Sequence, residues 1–257
     1  MKTETRSKIV EIIDKNGSAR PSDLAKQLNI STQALHRHLR KLVSEQFIER
    51  VGDPPYTRYV LAGNADFSSA LKWYLAKRVK EAKAVCETRD IFVARLTSQF
   101  STIRSSPIKE VDLPLVVSVA GEVGNNSFDH NLGHWKDQPG CWFEVQFFRN
   151  HLWVLVADRG RGIYRSLTHA VPTVSNDQAA IEIAFEKRIS GRAPEQRGNG
   201  LVFVKNAFAN IPKSGICCRS GNGVVQYGEL GNRCFEILKT ASLENEGTVT
   251  LMVWSSK

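Results

Sequence analysis

The 257-residue chain contains no run approaching the roughly 20 consecutive apolar residues that a membrane-spanning helix needs, so no membrane role is expected. Its opening, MKTETRSKIVEII, lacks the apolar core and small-residue cleavage site of a secretory signal. Cysteine is scarce and odd in number: Cys86, Cys141, Cys217, Cys218 and Cys234, with no C-x-x-C spacing. That argues against a disulfide framework or a zinc site and for reduced thiols, so a cytoplasmic location is expected. Acidic residues are in deficit, 26 against 35 Lys and Arg, for a net charge of +9. Such an excess points to an anionic partner: nucleic acid, nucleotide or phosphate. The apolar fraction of 42% and charged fraction of 24% are those of a globular protein, and the length suits one large or two modest domains.

Residues 1–65 alternate helical patterns with breakers. Ile9, Val10, Ile12 and Ile13 form an apolar stripe that NGS (16–18) ends. RPSDLAKQL places Pro21 and Ser22 at a helix start, and NIS (29–31) leads into TQALHRHLRKLVSEQ. FIERV (47–51) and TRYVL (57–61) read as strands joined by GDPPY. Helix, helix, tight turn, helix, hairpin resembles a winged helix-turn-helix, and LNISTQALHRHLRKLVSEQFIERV is similar to bacterial winged-helix regulators. In that family the third helix lies in the DNA major groove. The resemblance implies that Ser31, Thr32, Gln33, His36 and Arg37 face DNA. Arg37, Arg40, Lys41 and Arg58 suit phosphates, and Gln33 or Arg37 suits a base edge. The third helix has no acidic residue from Thr32 to Ser44. A winged helix that contacts only protein is the alternative.

The segment 66–105 has neither glycine nor proline across FSSALKWYLAKRVKEAKAVCETRDIFVARLTSQFSTIR and has helical apolar spacing at Phe67, Leu71, Trp73, Leu75, Val79 and Val85. It reads as a helical connector of one long helix or two shorter ones. The connector either joins the domains, pairs with a second copy to make a homodimer, or packs on its own domain.

Residues 106–257 carry the chemistry. LPLVVSVA (113–120) runs into EVGNNSFDHN (122–131), a crowd of polar groups beside a core that needs partners. Glu122 and Asn126 share a helix face. A carboxylate there can deprotonate a hydroxyl or water, and an amide oxygen one turn on can ligate Mg²⁺. CWFEVQFF and HLWVLVAD read as a hairpin about Arg149–Asn150, ending in DRGRGI. Asp158 offers an acceptor for an exocyclic amine, and Gly160 and Gly162 let the backbone pass close to a ring. Gly198 and Gly200 in RGNGL open a helix whose free N–H groups suit phosphate. GICCRSGN, GVVQYGEL, CFEILK and GTVTLMVW read as closing strands.

The order E-x-x-x-N-S-x-D, D-x-G-x-G, R-G-x-G-L and a terminal G-T resembles the GHKL superfamily of gyrase-type and mismatch-repair ATPases, histidine kinases and anti-sigma-factor serine kinases. That resemblance implies an α/β two-layer sandwich with a mixed sheet, binding ATP and Mg²⁺ over 106–257. Glu122 matches the catalytic base, Asn126 the Mg²⁺ ligand, Asp158 the adenine-reading aspartate, and Gly160 and Gly162 its glycines. Gly198 and Gly200 match the second glycine box, Thr248 a threonine near adenine, and 164–197 a lid. Lys187, Arg188, Arg192 and Arg197 either meet phosphate or form a solvated face. Asp129 and His130 are read as capping or bonding within the helix.

Three activities compete: a DNA-binding regulator switched by ATP, a serine kinase acting on a small partner of the anti-sigma-antagonist type, and a nucleotide module acting through protein contacts. Self-phosphorylation of the histidine-kinase kind is not expected, because 66–105 has no histidine. Ser127 stands where the kinases usually have alanine. No counterpart of the gyrase group's transducer domain is expected after the last strand.

Overall fold

Helix α1 (Lys2–Asn16) buries Ile9 and Ile13, and Pro21 starts α2 (Pro21–Leu28) at a position where its missing N–H costs nothing. Asn29 ends α2 in the left-handed region, φ 50°. Ser31 then caps α3 (Thr32–Ser44), its hydroxyl accepting from the Ala34 N–H at 3.2 Å. Leu35, Leu39 and Leu42 point inward at helical spacing onto Ile9, Ile13, Leu24 and Ile48. Strands β1 (Ile48–Val51) and β2 (Arg58–Leu61) pair antiparallel, and Ala19 bonds Tyr59 in both directions, adding a short third edge to the wing.

The computed structural model describes residues 2–16, 18–45, 47–52, 54–62, 65–79, 82–104, 113–148, 151–168, 170–187, 200–239 and 246–255. Its contacts divide into two units, Met1–Asn64 and Ala65–Lys257.

The second unit is built on a six-stranded sheet, ordered β3-β4-β5-β8-β6-β7. Its strands are β3 (Val85–Cys86), β4 (Cys141–Phe148), β5 (His151–Asp158), β6 (Ser214–Ser220), β7 (Gly223–Tyr227) and β8 (Thr248–Ser255). The expected mixed sheet is not found: every pairing among the described residues is antiparallel. One face packs Leu152, Val154, Val156, Met252 and Trp254 against α5 (Arg89–Arg104), α6 (Leu113–Asp129), α8 (Asp177–Glu186) and α9 (Gly200–Asn210). The alternate residues Trp153, Leu155, Ala157, Val249, Leu251 and Val253 pack against α4 (Ser68–Leu75) and α10 (Gly231–Leu238). The expected two layers therefore gain a partial third. That is why β5 and β8 read as nearly unbroken apolar runs: both of their faces are covered.

One expectation fails here, and another, two shorter helices over 66–105, holds only in part. CFEILK is not a strand but the body of α10, where Cys234 and Leu238 lie four apart and buried. The segment 66–105 is not wholly helical: α4 and α5 flank β3, whose Val85 and Cys86 join the sheet edge. Thr88 starts α5, its hydroxyl accepting from the Ile91 N–H at 3.3 Å. Of the apolar connector residues named above for a second copy or for its own domain, Phe67, Trp73 and Val85 are buried within this unit, while Leu75 is exposed.

Candidate functional site

One row of directly paired residues crosses the second sheet: Cys86, Cys141, Asp158, Thr248 and Ser220. Directly opposed residues share a face, so all five side chains lie on the side that carries α5, α6 and α9. Asp158 sits at its centre, 4% exposed. Its Oδ1 accepts from the Asn131 amide at 3.0 Å and the Gly160 N–H at 2.9 Å, and Oδ2 accepts from the Ser127 hydroxyl at 3.1 Å. Burial pushes its carboxyl up to about 6, against the opposing pull of those donors and the Thr248 backbone.

Helix α6 serves both ends of the site. Ser127 reaches Asp158, while Glu122, five residues earlier and so about 7–8 Å back along the axis, lies against Gly200. A side chain at Gly200 would collide with Glu122 Oε2. Glu122 is thus brought to the first residue of α9. Between these ends, Asn125 Oδ1 and Asn126 Nδ2 are buried and have no hydrogen-bond partner among the described residues. An unmet buried polar atom costs about 1–3 kcal/mol, and a native protein normally supplies it with water, ion or ligand. Asp129 forms an ion pair with Arg89.

The glycines serve local packing. The space freed at Gly160 is filled by the Asn131 amide, whose Oδ1 also accepts from the Arg161 N–H at 3.2 Å. Gly162 has φ +74° and would drive a side chain into the Glu246 carbonyl. Thr248 donates its hydroxyl to Ser220 Oγ at 3.2 Å, and the Ile163 N–H donates to the same oxygen at 2.8 Å. Asn131 and Ser220 were assigned no role from the sequence. Asn131 closes the quoted run EVGNNSFDHN and Ser220 ends GICCRS, but neither neighbourhood names its partner.

The segment expected to form a lid is partly docked. Helix α7 (Gly162–Leu167) leads to α8, where Asp177 Oδ2 accepts from the Asn222 N–H at 2.9 Å. Gln178 bonds the Val224 backbone in both directions. Arg188, Arg192, Arg197 and Gly198 lie outside the described residues, and Lys187 is exposed.

Arg159, between Asp158 and Gly160, is fully buried. Its Nε and Nη2 donate to the two Asp137 oxygens at 2.9 and 2.8 Å. Nη1 donates to the Trp73 and Tyr74 carbonyls at 2.9 and 2.6 Å, and Nη2 to the Ala76 carbonyl at 2.8 Å. All five guanidinium N–H groups are satisfied, and the group lies 5.7 Å from the Trp73 ring centroid. The Tyr74 hydroxyl donates to the Gly247 carbonyl at 3.0 Å, beside Thr248.

In the first unit Ser31, Thr32, Gln33, His36, Arg37, Arg40, Lys41 and Arg58 are all exposed. Several have local work. Ser31 caps α3, Lys41 pairs with Glu45 at 3.3 Å, Arg40 Nε donates to the His36 carbonyl at 3.4 Å, and Arg58 donates to Ser18 Oγ at 3.1 Å. Gln33, His36 and Arg37 lie on the exposed side of α3, away from Leu35, Leu39 and Leu42.

Residues 2–49 match the family model of winged helix-turn-helix DNA-binding domains. No curated protein matches the chain. Among solved structures, the histidine kinase domain from the Erythrobacter litoralis EL346 blue-light activated histidine kinase aligns over 68% of this chain and 65% of its own, at 13% identity and a TM-score of 0.30. The chain therefore spans just under two thirds of that chain's length. No helix among the described residues is long and apolar enough to cross a membrane.

Proposed function

We propose that the protein is a cytoplasmic regulator whose winged helix binds DNA and whose second unit binds and hydrolyses Mg-ATP as a switch, in the manner of the GHKL domains its motifs resemble. One observation carries the nucleotide reading. A single helix presents Asp158's donor Ser127 at one end and Glu122 against the start of α9 at the other, with unpartnered asparagine atoms between. That layout suits a ligand with a polar aromatic base and an anionic tail.

In this reading Asp158 takes the adenine amine, and Thr248 sits beside it on the same row. The N-terminus of α9 favours phosphate through its free N–H groups. Asn126 fits a metal ligand: a half-turn of its amide replaces the orphaned nitrogen with oxygen, the donor Mg²⁺ prefers. Mg²⁺, when bound, supplies positive charge on phosphate oxygens. Glu122 orients the attacking water and takes its proton.

Glu122→Gln is expected to keep Mg-ATP affinity within about threefold, since the amide preserves shape, while phosphate release falls on the order of a hundredfold. Equal turnover by variant and wild type in a phosphate-release assay would remove Glu122 from the chemistry.

For the winged helix, Arg37→Ala is expected to weaken binding to duplex DNA about tenfold and to reduce the salt dependence by about one counterion. Affinity measured by anisotropy between low and physiological salt tests this. Salt-insensitive binding, or none by the wild type, would favour the protein-contact alternative.

A further inference from the structure

The row that carries Asp158 ends in two cysteines facing each other across the edge of the sheet, Cys86 on β3 and Cys141 on β4. We propose that this pair is a redox site, a dithiol that a small hydroperoxide closes to a disulfide. The inference rests on the thiol geometry alone and not on the nucleotide reading.

The backbone allows the bond. The Phe143 N–H donates to the Ala84 carbonyl at 3.0 Å. By the alternation of an antiparallel ladder, Cys86 and Cys141, two residues along, form a hydrogen-bonded pair with α carbons about 5.5 Å apart. That is within the spacing a disulfide spans. Both side chains leave the same face of the sheet and join the same core cluster.

The two sulfurs have different parts. The facing Cys141 thiol and the Arg95 guanidinium hold the Cys86 thiol below its ordinary range, while the facing Cys86 sulfur and burial push Cys141 up. Arg95 on α5 has a buried Nη1 with no hydrogen-bond partner among the described residues, a positive charge available to a thiolate. Cys86 is therefore the nucleophile and Cys141 the resolving thiol. Cys86 thiolate attacks one peroxide oxygen and the O–O bond breaks, with hydroxide leaving to become water. Cys141 sulfur then attacks the sulfenic acid, the S–O bond breaks, and its proton leaves with the hydroxide as a second water. Two thiols and one hydrogen peroxide give one disulfide and two waters.

Both sulfurs are closed to solvent, so the oxidant enters when the edge opens. Strand β3 has two residues and, among the described residues, a single neighbouring strand, and so short an edge opens at a fraction of the global unfolding energy. Cys217, Cys218 and Cys234 are the internal controls. They are buried away from that edge, and burial pushes each thiol up.

The test treats the full chain with hydrogen peroxide, unfolds it in an alkylating agent and maps the peptides by mass spectrometry. Alkylatable thiols are expected to fall from five to three, with one cross-linked Cys86–Cys141 peptide that dithiothreitol reverses. In Cys141→Ser, dimedone is expected to trap a sulfenic acid on Cys86. Five thiols surviving, or a disulfide involving Cys217, Cys218 or Cys234, overturns the proposal. A cross-link in a protein that fails to bind ATP supports it all the same, and counts only against the nucleotide reading.

Discussion

Asp158→Asn makes the unliganded protein more stable at pH 8, by up to about 3 kcal/mol. The native carboxyl holds its proton up to about pH 6, while the unfolded chain releases it near its ordinary value of 3.8. The folded state thus binds more protons than the unfolded state across that interval, and stability falls as pH rises through it. A shift of about two pKa units corresponds to about 3 kcal/mol, absent below about pH 4 and in full force above about pH 7. Asparagine fits the same space. Its oxygen accepts from Asn131 and Gly160, and its amide faces the Ser127 hydroxyl, which turns to accept. All five tryptophans, at 73, 135, 142, 153 and 254, fall in the second unit, so urea unfolding followed by their fluorescence reports on it alone. A variant that gains nothing at pH 8, or gains equally at pH 4, would mean that Asp158 is not a buried anion. A costly charge retained in a core is what a binding site needs and what packing alone would discard.

Arg159→Met is expected to destabilise the second unit by about 3–5 kcal/mol, the usual effect of removing one partner of a buried charge pair. Methionine fills the volume but leaves three carbonyls, at Trp73, Tyr74 and Ala76, and the Asp137 carboxylate without their donor. Arg159→Lys recovers only part of this, since an ammonium has three donors in place of a planar fork of five. Asp137→Asn costs less, about 1–2 kcal/mol, because Asp137 is partly exposed and the carbonyl bonds survive. Arg159 ties α4, the first helix after the winged unit, to the residue beside Asp158. Loss of the tie is expected to free Trp73 and shift its emission to the red before global unfolding. If Arg159→Met unfolds at the wild-type midpoint, the guanidinium is not holding α4.

What the sequence disclosed and what it hid divide along the distance to each partner. Strands β4, β5 and β8 were legible because each is a long β-branched and aromatic run, and α3 because its leucines recur on one side. The short β3 was not, since Val85 and Cys86 continue a helical spacing and take their strand conformation only from β4. Helix α10 was misread because Cys234, Phe235 and Ile237 have strand character, and only burial of Cys234 with Leu238 reveals the period. In the candidate site, Glu122 and Asn126 were named from local spacing, and both stand on α6. Asn131, Ser220 and Arg159 were missed because their roles depend on partners 27, 57 and 85 residues away. Gly160 and Gly162 were named for close approach of the backbone to a ring, and in the fold each faces protein atoms. Gly160 makes room first for Asn131, and Gly162 for a backbone carbonyl.

The most direct test of the nucleotide site is calorimetric titration of the full chain with Mg-ATP at pH 8 and at pH 5, beside Asp158→Asn. Saturable binding by the wild type at pH 8 is expected, weakening as pH falls below about 6 and Asp158 gains its proton, with no detectable binding by the more stable Asp158→Asn. A folded wild type that takes up no nucleotide at pH 8, or a variant that binds as well as the wild type, would contradict the assignment of Asp158 as the base-reading residue.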